Sequence, residues 1–213
     1  IRCLIKASPF GSHSHSHADQ GAFTLSAYGE ELAIQSGHYV SYGSAMHLEW
    51  RRKTHSKNAL LVDGGGQYSG EDGARRLGAS GQLDLICDSP QHMRLRADLT
   101  RAYSTENPII TSCSRDYHFV EGRYLILVDR VKATQPICVQ WLVHGLSEFN
   151  VDPTSAHFSL TRPLAGLQGC VAFSTSLLEG FEQTEGYPGV PQEEVAGLAT
   201  SYRLAAQFEA ARQ

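Results

Sequence analysis

Three histidines at alternate positions, His13, His15 and His17, stand in the segment Ser8-Pro-Phe-Gly-Ser-His-Ser-His-Ser-His-Ala-Asp-Gln20. In an extended segment side chains alternate between two faces, so all three imidazoles would point the same way. Such an array can hold a divalent metal through neutral ring nitrogens. With an ordinary pKa near ~6.5, it can equally donate and accept protons at neutral pH. The crowding is local: His13, His15, His17, His38, His47 and His55 make six of the ten histidines, all within the first 55 residues. A purification tag would not be lodged between two strands and followed by Ala18-Asp19-Gln20, and a solvated Ser/His loop without chemistry is the plain alternative.

The elements that must position these side chains read as strands. Apolar residues recur with period two or in short β-branched and aromatic runs, as in Tyr124-Leu-Ile-Leu-Val-Asp-Arg-Val-Lys132, and sustained helical periodicity is nearly absent. Turn signals separate the runs at Tyr28-Gly29-Glu30, Asp63-Gly-Gly-Gly66, Glu121-Gly122 and Asp152-Pro153,. The pattern predicts an all-β antiparallel sandwich forming one domain over residues 1–213. Ile109–Cys113 and Tyr117–Val120 read as separate strands, and Gly169–Phe173 as another. Residues 67–81 resist assignment, and the tail Leu198–Ala211 has a helix-favouring composition with a closing strand as the competing reading.

Charge and cysteine content narrow the classes. Eighteen Lys and Arg against 22 Asp and Glu, with no basic block, leave no face able to neutralise a phosphate backbone, so nucleic acid is not an expected partner. No apolar run approaches the ~20 residues of a membrane helix, so no membrane association is expected. The five cysteines are odd in number, widely spaced and never in a C-x-x-C pair, which predicts free thiols and favours the cytoplasm over the periplasm. Ile1 opens what reads as a strand without an initiator Met, so the chain is expected to be a piece of a longer one.

Motifs offer three readings of the histidine segment. His15-Ser-His17-Ala-Asp19 matches the H-x-H-x-D part of the metallo-β-lactamase signature, but Gln20 replaces the following His and no βαβ pattern surrounds it. A cupin also begins with Gly then H-x-H, yet its Glu should follow three or four residues later, and here the nearest is Glu30. The third reading is wider. Residues 8–20, then Gly29-Glu-Glu-Leu-Ala-Ile-Gln-Ser-Gly-His-Tyr39 and Trp50-Arg-Arg-Lys-Thr-His-Ser-Lys-Asn-Ala-Leu-Leu-Val-Asp-Gly64, strongly resemble the C-terminal region of the heparinase II/III-like polysaccharide lyases, and among these the exolytic oligoalginate lyases. Arg123–Arg130 and Gln140-Trp-Leu-Val-His144 agree more loosely.

The resemblance implies a lyase acting on uronic-acid oligosaccharides, alginate above all, by β-elimination, with an N-terminal α/α toroid of the same protein as partner. A heparin-type lyase domain and a non-catalytic carbohydrate-binding sandwich are the alternatives. By position, His15 matches a catalytic histidine facing the substrate, and Tyr39 a tyrosine lining the cleft. His13, Arg52 and Lys57 are expected to bind substrate, Arg52 as part of the basic run Arg51-Arg52-Lys53. His17 matches the first ligand of the family's structural zinc, but Gln35 and Lys57 occupy the positions of its Asp and His ligands. Divalent metal and ammonium repel by several kcal/mol at ~4 Å even with an effective dielectric near 20. No cofactor is therefore expected, with Lys57 taking roughly the metal's place and donating to Gln35 and to a nearby carbonyl while His17 accepts; a metal site re-formed from His55, His47 or Asp19 is the alternative.

Overall fold

The computed structural model describes residues 1–10, 16–173 and 178–208. Its strands are β1 (Arg2–Lys6), β2 (Ala22–Ala27), β3 (Glu30–Ala33), β4 (Leu60–Val62), β5 (Gln82–Asp88), β6 (His92–Asp98), β7 (Ile110–Val120), β8 (Tyr124–Ala133), β9 (Val139–Gly145), β10 (Asn150–Asp152), β11 (His157–Thr161), β12 (Gly166–Cys170), β13 (Leu178–Glu185) and β14 (Tyr202–Phe208). The chain divides into two compact units. One comprises Ile1, Ile5–Ala22 and Gln67–Gln135; the other comprises Arg2–Leu4, Phe23–Gly66 and Pro136–Gln213. As the period-two pattern predicts, the chain is all-β and its sheets are antiparallel.

The first unit is built on the meander β5-β6-β7-β8. The two strands expected at Ile109–Cys113 and Tyr117–Val120 are one, β7, because the charged residues that interrupt its apolar run are neutralised in place. Arg115, 1% exposed, makes a two-pronged pair with Asp129 (2.6 and 2.9 Å) and donates to the Gly21 carbonyl at 2.8 Å. On the other side of the strand Asp116 is fully covered and accepts from Arg96 (2.9 and 3.0 Å), Arg94 (3.2 Å) and Arg130 (2.5 Å). Burying a charge is tolerable only with such pairing. Residues 67–81, unassigned from sequence, contain a short helix, α1 (Gly73–Gly78), capped by the Asp72 carboxylate on Arg75 N at 2.8 Å.

In the second unit β13-β14-β9-β4 form one sheet and β10-β11-β12 another. They meet where Phe158 of β11 packs on Trp141 of β9, ring centres 5.9 Å apart. The tail is the strand β14, not a helix, since it is paired along its length with β13 on one side and β9 on the other, and ladder hydrogen bonds override a modest helix propensity. Tight turns fall where the sequence signals them. Tyr28-Gly29 joins Ala27 to its partner Glu30, and Asp63-Gly64 joins Val62 to Gly65; both central residues of each have positive φ, the geometry that matches strand twist,. All five cysteines are free thiols, as expected. Among the described residues no helix is long and apolar enough to cross a membrane.

Candidate functional site

The first unit carries the histidine segment and fixes both of its flanks. On the entering side, Ser8 N donates to Gln20 Oε1 at 2.8 Å, Gly81 N donates to Ser8 O at 2.8 Å, and Phe10 is buried with Tyr68 and Ala79. On the leaving side, Gln20 and Gln67 exchange two hydrogen bonds, backbone to amide, at 2.9 and 2.6 Å, and Lys6 pairs with Asp19. The next carbonyl, of Gly21, takes the Tyr117 hydroxyl at 2.6 Å as well as Arg115. The two flanks are tied to each other through Gln20, whose side chain holds Ser8 and whose backbone holds Gln67. His17 is half-buried; His13 and His15 lie outside the described residues.

The second unit carries the remaining candidates around a buried amide. Asn58 donates to the carbonyls of Phe23 (2.7 Å) and Ile34 (3.0 Å), and its side-chain oxygen accepts from His144 N at 2.8 Å. Ile34 N in turn donates to His144 O, and Ser36 N to Ser56 O. Gln35 and Lys57 lie between these ties. Lys57 is 1% exposed and its Nζ donates to Gln35 Oε1 at 3.3 Å. This is the pairing that the two departures from the family pattern suggested. His144 Nε2 lies 3.0 Å from the His55 carbonyl and Nδ1 lies 3.2 Å from Asn58 Oδ1. Burial, reinforced by the charge of Arg203, pushes the ring's pKa down to about 3, so it is neutral and donates to only one of these two acceptors,.

Gln35 and Lys57 do not supply the zinc donors of the family pattern. An ammonium has no lone pair to offer, and the neutral Gln35 amide is a weak substitute for a carboxylate. Among the described residues no three His, Cys, Asp or Glu are grouped to hold a metal ion.

Tyr39 lies in the loop from β3 to a wide helical turn, Met46–Arg51, closed by Arg52 N on the His47 carbonyl at 3.0 Å,. Gly37 is required there: its φ is +96°, and a Cβ would lie 2.7 Å from Arg51 Cγ. Tyr39 is 56% exposed and Tyr42 41%. Both rest on the buried His47 ring, with centres 5.8 and 5.2 Å away. The Arg51 guanidinium lies 5.5 Å over the Tyr39 ring. Arg52, the expected substrate contact, is 6% exposed, so of the basic run it is Arg51 that stands beside Tyr39. Neither Arg51 nor Tyr42 was separable from its neighbours in sequence; the four-residue spacing of His47 and Arg51 on one helical turn is the signal that relates them.

Comparison with known proteins bears on the whole arrangement. The family model for the C-terminal region of heparinase II/III-like proteins matches residues 1–185. No curated protein matches the chain in sequence. Among solved structures, a heparinase III with methylated lysines superposes with a TM-score of 0.74 at 17% identity, over 99% of this chain and 30% of that one. A heparan sulfate lyase, HepC from Pedobacter heparinus, gives 0.66 at 17% identity over 99% and 33%. A further heparinase III gives 0.58 at 15% identity over 96% and 32%. The chain therefore spans about a third of these proteins and has the fold of their β-sandwich domain. With the family model matched over most of its length, the chain belongs to the heparinase II/III-like family, as its C-terminal domain.

Proposed function

We propose that the full-length protein is a lyase that breaks uronic-acid polysaccharides by β-elimination, with oligoalginate as substrate, and that this domain forms one wall of its cleft. The observation that carries the reading is Arg51 held over the exposed Tyr39 ring. Elimination removes the proton on C5 of a uronate, beside a carboxylate whose charge opposes a second anion, so donors must first offset that charge. A guanidinium presents a planar fork that matches a carboxylate. Tyrosine offers a flat ring for the sugar and a hydroxyl beside the scissile bond, and His15 donates to the carboxylate or shuttles the proton. The remaining acid–base groups come from an α/α toroid. No zinc takes part, the Lys57 ammonium standing in its place beside Gln35.

Heparan sulfate is the second reading, favoured because two of the similar solved structures are heparan sulfate lyase HepC and a heparinase III and because the same fork suits a sulfate. The test is the ultraviolet absorbance of the unsaturated uronate product when full-length protein meets oligoalginate, heparan sulfate or hyaluronan. A rise with oligoalginate supports the first reading and a rise with heparan sulfate alone the second. Binding without any rise supports a non-catalytic carbohydrate-binding module.

A further inference from the structure

The loop bearing Tyr39 and Tyr42 is held at both ends by the connection between β13 and β14, residues 186–201. At its start, Ser36 Oγ shares a 2.7 Å hydrogen bond with Ser201 Oγ and accepts from Trp50 Nε1 at 2.9 Å. His38 Nε2 lies 2.8 Å from the Ala199 carbonyl, which can only accept, so that nitrogen carries the proton,. The Tyr187 hydroxyl donates to the same carbonyl at 2.5 Å, and its ring meets His38 and Trp50 edge-on, with centres 5.9 and 6.1 Å apart. At the loop's end, the two carboxylate oxygens of Glu194 accept from Ala45 N at 3.0 Å and Met46 N at 2.8 Å. These amides open the helical turn that ends in Arg51, where the first N–H groups have no partner within the turn and a negative charge is favoured. Glu194 and Ala199 also lie beyond residues 1–185, the span that the family model matches.

From this geometry we infer that Glu194 is a positioning residue: its carboxylate fixes the turn whose last residue, Arg51, lies over Tyr39, and so holds both against the substrate. The inference rests on the role proposed above for Tyr39 and Arg51. Glu194 acts through the backbone of Ala45 and Met46. A carboxylate spanning two adjacent amides resists rotation of the turn in a way that one hydrogen bond cannot, and a misplacement of about 1 Å at such a pair costs on the order of a hundredfold in rate.

The test uses full-length protein as wild type, Glu194→Ala and Glu194→Gln. Hydrogen–deuterium exchange of residues 38–46 should quicken about five- to tenfold in Glu194→Ala, the scale of a lost cap, and less in Glu194→Gln, which keeps one acceptor oxygen. On a uronan that the wild type cleaves, kcat/KM should fall at least about tenfold in Glu194→Ala with partial recovery in Glu194→Gln, while Tm shifts by only a few degrees. Unchanged exchange at 38–46 overturns the inference, as does quickened exchange with kcat and KM both intact. A wild type that cleaves no uronan counts against the lyase reading, and the exchange measurement still decides whether Glu194 holds the loop.

Discussion

Lys57 Nζ donates to Gln35 Oε1 at 3.3 Å, from a side chain withdrawn almost entirely from water. An ammonium so placed repels a second cation. Purified protein is therefore expected to hold far less than one zinc per chain by elemental analysis, and a chelator should leave its Tm unchanged. The double variant Gln35→Asp, Lys57→His, which restores an anionic and a neutral donor, should gain zinc. Near-stoichiometric zinc in the wild type would refute the assignment.

Neighbouring arginines should behave oppositely. Arg51→Lys keeps the charge but loses the planar fork over Tyr39, so KM for a uronan should rise about tenfold with Tm little changed. Tyr39→Phe should lower kcat by about tenfold or more if its hydroxyl takes part in proton transfer. Arg52, by contrast, is buried, and Arg52→Ala should lower stability by about 1–3 kcal/mol. Kinetics and thermal melts on the same preparations separate the two roles.

The His144 ring titrates near 3 when folded, mainly because it is buried, against about 6.5 when unfolded,. Because the folded value is depressed, the unfolded chain binds the proton first. The stability in question is complete above about pH 6.5 and is lost as the pH falls toward 3, by at most about 1.4 kcal/mol per pH unit. Urea unfolding at pH 7 and pH 5 should show this decline, and His144→Gln should flatten it. An equal slope in the variant would show that another group is responsible.

Asp116 tests how the long strand β7 tolerates its charges. Three guanidinium groups hold its carboxylate well below the usual range, the hydrogen bond from Arg96 foremost. Asp116→Asn removes the negative centre and leaves three cations close together. Because those arginines reach water, the loss is expected at about 1–3 kcal/mol, less than for a fully enclosed pair. A urea midpoint equal to that of the wild type would contradict it.

The strands with their period-two pattern and the turns at Tyr28-Gly29 and Asp63-Gly64 were legible because each is written in a short local stretch of sequence. What was not legible depends on distant partners. Arg115 and Asp116 read as a break between strands until Asp129 and the three arginines supply the opposite charges. β13, with the polar sequence Leu-Glu-Gly-Phe-Glu-Gln-Thr-Glu, carries little apolar signal and is an edge strand made by pairing to β14. Arg51 and Arg52 are alike in sequence, and only the helical turn buries one and lays the other on Tyr39. Glu194 meets the Tyr39 loop from near the other end of the chain.

The ultraviolet absorbance of the unsaturated uronate, measured with oligoalginate for the full-length protein and for the isolated 213-residue chain, is the most direct test of the lyase reading. A steady rise is expected with the former and none with the latter, which holds the Tyr39–Arg51 pair but not the proposed toroid. No rise from the full-length protein on oligoalginate, or an equal rise from the isolated chain, would contradict it.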